Sequence, residues 1–170
     1  MLLDSSSAIL LEKSGLLGKL LAVYRVSMCE SVYSELTDNP YPSADLFQRF
    51  HREKKIVVHQ NGEDFSQLIE DMEELSALNR GERETIIQYF LGSGDFILLD
   101  DGKGARFCDK YQLPFINALL FPMILNMSNL ISDEQRDLEI KKILRVGWYS
   151  EKIIKMAENL TKEDLRPFLP

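Results

Sequence analysis

The run Phe96-Ile97-Leu98-Leu99, stopped by Asp100-Asp101-Gly102, constrains the fold more than any other part of the chain. A strand that is apolar on both faces cannot leave one face in water, so it belongs in a parallel sheet covered by helices on each side. Other short runs fit the same sheet. Leu2-Leu3 ends at Asp4, Ala22 to Ser27 is rich in β-branched and aromatic residues, Lys55 to His59 reads as an edge strand, and Leu113 to Ile116 as a further strand. Helical stretches lie between them. Ala8 to Leu21 divides at Gly15 and Gly18 into two short helices, and Cys29 to Leu36, Ser43 to Arg52 and Glu63 to Leu78 each carry helical spacing. Asn79-Arg80-Gly81 turns into a helix from Glu82 to Leu91, and another short helix reaches Tyr111. From Ala118 onward the chain reads as helical, with Ser132 and Gln135 as a capping box, Gly147 at a helix C-terminus, and a last helix from Ser150-Glu151 to about Leu160. Strands alternating with helices imply right-handed crossovers and an α/β fold with the final helices as an extension. At 170 residues the chain suffices for one such domain and is short for two.

A net charge of −7 repels a phosphate backbone at long range, so nucleic-acid binding needs a local basic face or metal ions. Cys29 and Cys108 lack metal-ligand spacing and read as small buried thiols. The N-terminus has no basic region or long apolar core of a signal peptide, and the apolar stretch Phe115 to Met127 is too short to span a bilayer, so a cytoplasmic protein without a membrane partner is expected.

In a parallel sheet, ligands bind in the crevice at the strands' C-terminal edge. Asp4 and Asp100 occupy that position, and Glu35 and Glu82, in the helices that follow the second strand and precede the Asp100 strand, can lean toward it. Carboxylates meeting there repel one another unless a multivalent cation neutralises them, and an all-oxygen set selects Mg²⁺ or Mn²⁺. Taken singly, Asp4 is also a helix cap, Glu82 also complements a helix dipole, and Asp100 and Asp101 are also turn formers.

The order LLDSSS, SVYSEL, LNRGERETI and FILLDDGKGARFCDKYQLPFI resembles the PIN domain, especially the group related to the toxins of VapBC toxin–antitoxin pairs, over residues 1 to about 130. The segment RVGWYSEKIIKMA is similar to the helical end of one uncharacterised PIN subgroup. The resemblance implies a three-layer α/β/α nuclease domain at 1–130, a helical extension at 131–170 packed on it, and metal-dependent hydrolysis of RNA. Asp4, Glu35, Glu82 and Asp100 match the acids that hold the metal and act in catalysis, with Ser6 supporting the first and Asp101 a reserve ligand. Asn117 stands where relatives have Gly, and residues 37–78 match no PIN motif. A small antitoxin partner and a homodimer are both compatible with the family.

Among local cations, Lys103 and Arg106 flank the acids and are the expected phosphate contacts, whereas Arg49, Arg52, Lys54 and Lys55 read as a solvated helix end, and His51 and His59 as surface residues. A receiver-type phosphoacceptor is disfavoured because Asp4 is followed by serines and Asn117 replaces its lysine. An aspartyl-phosphate phosphatase is disfavoured because Ser6 replaces its second Asp. The serious alternative is a PIN-like fold that has lost catalysis and binds RNA or protein.

Overall fold

The computed structural model describes residues 1–38, 42–62, 68 and 72–170. The described strands are β1 (Leu2–Leu3), β2 (Val26–Cys29), β3 (Ile56–His59), β4 (Ile97–Leu98) and β5 (Phe115–Ile116), and they form one sheet in the order β3-β2-β1-β4-β5. Every pairing is parallel. The described helices are α1 (Ser5–Lys13), α2 (Leu17–Val23), α3 (Glu30–Thr37), α4 (Ala44–Arg52), α5 (Arg80–Phe90), α6 (Gly102–Lys110), α7 (Phe121–Met127), α8 (Asp133–Val146), α9 (Glu151–Asn159) and α10 (Lys162–Leu165). This is the three-layer α/β/α arrangement of a PIN-like fold.

Side-chain alternation along the strands explains why the central runs are apolar throughout. Leu3 and Leu98 enter one core with Ala8, Leu11, Met28 and Val32, while Leu2, Ile97 and Leu99 enter a second with Leu75, Ile86 and Phe107. Successive residues point to opposite faces, and both faces are covered by helices. Each buried leucine contributes roughly 1.5–3 kcal/mol relative to an exposed one.

The second strand begins later than the Ala22 start read from the sequence. Leu17 and Leu20 are buried at helical spacing, and Leu21, Ala22 and Val23 complete α2 before Tyr24 turns extended. The β-branched residues at 23 and 26 thus fall in different elements, and tertiary packing overrides local preference. Likewise α5 starts at Arg80, because the Asn79 side chain accepts from the Glu82 backbone N–H and the Glu82 side chain accepts from the Asn79 N–H. The expected helix Glu63 to Leu78 lies largely outside the described residues, and Glu73–Ala77 forms a 3-10 turn. Proline disfavours helical geometry in the residue before it, so the sequence Asn39-Pro40-Tyr41-Pro42 is expected to end α3; residues 39–41 are outside the described ones, and the helix stops at Thr37.

The C-terminal helices join the first core through Ile143, Ala157 and Leu165. Lys19 donates to the buried Glu139 of α8 at 2.7 Å, and the Tyr24 hydroxyl donates to the Phe168 carbonyl at 2.5 Å. Phe96 meets both Tyr24 and Phe168 edge to face, with centroids 5.6 and 5.2 Å apart. Among the described residues no helix is long and apolar enough to cross a membrane.

Candidate active site

The chain runs from β1 outward through β2 to β3, then returns to place β4 on the other side of β1. The crevice between the C-terminal ends of β1 and β4 is therefore the topological switch point, the usual ligand position in an open α/β sheet. Asp4 follows β1 and Asp100-Asp101 follow β4, so the acids line this crevice.

Asp4 is 2 % exposed. It caps α1, its Oδ2 accepting from the Ser6 backbone N–H at 3.1 Å and from the Ser6 hydroxyl at 2.5 Å. Its Oδ1 is buried and, among the described residues, has no hydrogen-bond partner. A narrow gap lined by Asp4, Glu82, Thr85, Ile86, Ile97 and Leu99 separates it from α5. Burial pushes the Asp4 carboxyl above its ordinary pKa, the Ser6 hydrogen bonds oppose the shift, and the charge of Glu35 adds to it.

Glu82 is also 2 % exposed. Its Oε2 accepts from the Asn79 N–H at 3.2 Å, and its Oε1 from the Gly104 N–H at 3.1 Å. Gly104 permits this approach, since a Cβ there would stand 2.7 Å from Leu99 Cδ1 and 3.0 Å from Glu82 Oε1. The remaining neighbour is the Asp101 carboxyl. Burial, then the hydrogen bond and charge of Asp101, raise the Glu82 pKa to about 7, while the Asp101 pKa is lowered by the proton that Glu82 offers it and by the Lys103 N–H at 2.7 Å. Lys103 and Arg106 are exposed and act electrostatically on Asp101. Glu35, on the outer face of α3, reaches over the start of α5. Its carboxylate oxygens lie 3.2 and 3.5 Å from where a Cβ on Gly81 would be.

Asp100 has a separate set of donors. Its Oδ2 accepts from the Ser7 hydroxyl at 2.6 Å and the Ala118 N–H at 3.1 Å, and its Oδ1 accepts from the Tyr149 hydroxyl. Burial raises its pKa against these three donors, which favour the charged form. The structure thus sets Asp4 across a narrow gap from Glu82 and Glu82 against Asp101, with Glu35 beside them, while Asp100 lines one groove with Ser6 and Asp101 and is held in a second cluster of hydrogen bonds. Ser7 and Tyr149, absent from the sequence reading, complete that second cluster. Tyr149 lies 49 residues from its acceptor, a distance at which spacing carries no signal. Alternation, however, was readable: Asp4 has the parity of Leu2, Asp101 that of Ile97 and Leu99, and Asp100 that of Leu98.

Among the described residues no group of three or more Asp, Glu, His or Cys side chains is spaced to hold a metal ion as it stands. The carboxyls do fit an oxygen-liganded cation on two grounds: among the described residues the buried Oδ1 of Asp4 has no hydrogen-bond partner, and the Glu82 and Asp101 carboxyls face each other closely enough that the charge of Asp101 raises the Glu82 pKa. Cys29 and Cys108 are buried and free, with Cys108 pushed up to about 12 by burial and Cys29 also raised, so neither is a ready nucleophile. Arg49 and Lys55 sit at 3.9 and 2.9 Å from Glu53 near the N-terminal end of β3, at the edge of the sheet away from the acids.

A pH dependence follows from Glu82. Its folded-state pKa lies above its unfolded value, so between about 4.5 and about 7 the native state binds more protons than the unfolded one. Stability of the metal-free protein is then expected to fall as pH rises through that window and to level above it. Urea unfolding in EDTA from pH 4.5 to 8 measures this, and Glu82→Gln should flatten the slope; an unchanged slope in the variant would contradict the assignment.

A family model described as PIN domain matches residues 1–163 of the chain. No curated protein and no solved structure matches it.

Proposed function

The chain belongs to the PIN-domain family, a nuclease-type fold that typically uses divalent metals, and on that premise we propose that it is a metal-dependent endoribonuclease. The observation that carries the reading is the meeting of the Glu82 and Asp101 carboxyls near the buried Asp4 carboxyl, at the switch point of the sheet. Asp4, Glu82 and Asp101, with Glu35, would hold Mg²⁺ or Mn²⁺. Held by these acids, such an ion would supply polarisation of a phosphodiester and activation of water near neutral pH.

The chain's own groups do the remaining work. Ser6 fixes the orientation of Asp4, and the Gly104 N–H fixes that of Glu82, so the acids face the crevice before substrate arrives. The Glu82 proton, which has a pKa of about 7, leaves to solvent as the site charges. Lys103 and Arg106 offset locally the repulsion between an acidic protein and a phosphate backbone. Asp100, pinned by Ser7, Ala118 and Tyr149, serves as the anchor of the C-terminal segment in this reading.

A panel of single-stranded and structured RNAs incubated with Mg²⁺, Mn²⁺ or EDTA tests the proposal. Cutting that needs a metal and is lost in Glu82→Gln supports it; no cutting by a folded wild-type protein moves the chain to the catalytically silent binding module. The toxin role extends the same proposal, with a small antitoxin laying a helix or an inserted Arg over the acidic edge. Growth arrest on expression of the wild type but not of Asp101→Asn is its readout.

A further inference from the structure

Trp148 is the chain's single tryptophan, and it is 88 % exposed. An indole this exposed adds little to the core, and what sets it apart is the backbone that holds it. It is not on a loose segment. On one side Gly147 ends α8 in extended geometry so close to α1 that a Cβ there would stand 2.9 Å from Leu10 Cδ2. On the other, Tyr149 is fastened to Asp100 at the end of β4. The ring is therefore carried by a backbone clamped at both neighbours, which lowers the ordering cost of any contact it makes.

It borders an open groove of about 380 Å³, within the range of small-molecule sites, that also takes in Ser6, Lys13, Val146, Asp100 and Asp101. Ser6 and Asp101 belong to the acid site, so the groove opens directly onto the crevice. Lys13, exposed in the last turn of α1, brings a cation to its wall.

We propose that Trp148 is a stacking platform that seats an unpaired base of single-stranded RNA next to the scissile phosphate, with Lys13 facing the adjoining backbone. The proposal rests on the nuclease reading of the acids. A flat aromatic accepts any base on its π-face, so the platform selects unpaired over paired strands and not one sequence over another. Base–aromatic stacking contributes about 1–3 kcal/mol per base through the ring itself, a term that does not draw on the net charge of an acidic protein.

Because no other tryptophan is present, intrinsic fluorescence reports this ring alone. The experiment mixes the protein rapidly in Mg²⁺ with a short single-stranded RNA, the same strand in a duplex, the same strand as DNA, or an abasic strand of equal length, and reads emission before turnover. Quenching by single-stranded RNA but not by duplex or abasic strand is expected; quenching by DNA as well assigns recognition to the base and not the 2′-hydroxyl. In steady-state cleavage Trp148→Ala should raise KM on the order of ten- to a hundredfold, the range set by stacking of one base, with kcat within about twofold, and Trp148→Phe should recover part of the loss. Equal quenching by the abasic strand, or an unchanged KM in Trp148→Ala, overturns the platform and leaves the nuclease standing. If Trp148→Ala instead converts a dimer to a monomer in sedimentation with strand binding intact, the ring is a self-association contact and the proposal fails. Base-dependent quenching by a protein that cuts nothing keeps the platform and removes the nuclease.

Discussion

Asp101→Asn is expected to lower RNA cleavage at least about a hundredfold and to leave the melting temperature in EDTA nearly unchanged. A bound divalent ion contributes several kcal/mol to a phosphodiester transition state, and each 1.4 kcal/mol is about tenfold in rate. Removing one anionic ligand from beside Glu82 weakens the ion's hold, so the loss appears in kcat/KM at fixed Mg²⁺ and is only partly restored by raising the metal concentration. The fold should not notice. Asp101 caps α6 through the Lys103 N–H at 2.7 Å, and Asn caps a helix about as well as Asp. The substitution also removes the charge that faces Glu82 and raises its pKa, which relieves repulsion above pH 7. Initial rates and thermal melting of the same preparation measure both halves; a variant that cuts at the wild-type rate would remove Asp101 from the site.

Its neighbour should behave in the opposite way. Asp100→Ala leaves three donors without an acceptor: the hydroxyl of the fully buried Ser7, the N–H of the fully buried Ala118, and the Tyr149 hydroxyl. A buried donor left unsatisfied costs about 1–3 kcal/mol, so the loss is expected at about 3–6 kcal/mol, a large part of the 5–15 kcal/mol that keeps a domain folded. At this chain length each kcal/mol moves the melting point roughly 2–4 °C, which places the drop near 10 °C or beyond. Tyr149→Phe removes one of the three bonds and should cost about 1 kcal/mol. Urea unfolding in EDTA gives the values. Two adjacent acids would then separate cleanly, one costing activity and one costing stability; if Asp100→Ala melts like the wild type, Asp100 is not the anchor described.

The layer architecture was legible because Phe96 to Leu99 and Leu2-Leu3 are apolar on both faces, a pattern that only a covered parallel sheet accommodates. Asp4 and the Asp100-Asp101 pair were legible as strand ends for the same reason. Which of the pair joins Glu82 was encoded too, in strand parity, but a turn-forming Asp-Asp-Gly reads equally well either way until the strand's register is known. The start of β2 was not legible: Ala22 and Val23 suit a strand locally, and only the burial of Leu17 and Leu20 against the core makes them the end of a helix. The Tyr149 anchor and the clamped Trp148 depend on the C-terminal segment returning to β4, a contact set by how α8 lies across α1 and not by any local preference.

The most direct test of the acid site is calorimetric titration of Mn²⁺ at pH 7.5 into the wild type, Asp101→Asn and Asp100→Asn. Saturable binding by the wild type, retention in folded Asp100→Asn, and loss or severe weakening in Asp101→Asn are expected; loss in Asp100→Asn with full binding by Asp101→Asn would place the ion on Asp100 and remove Asp101 from the site.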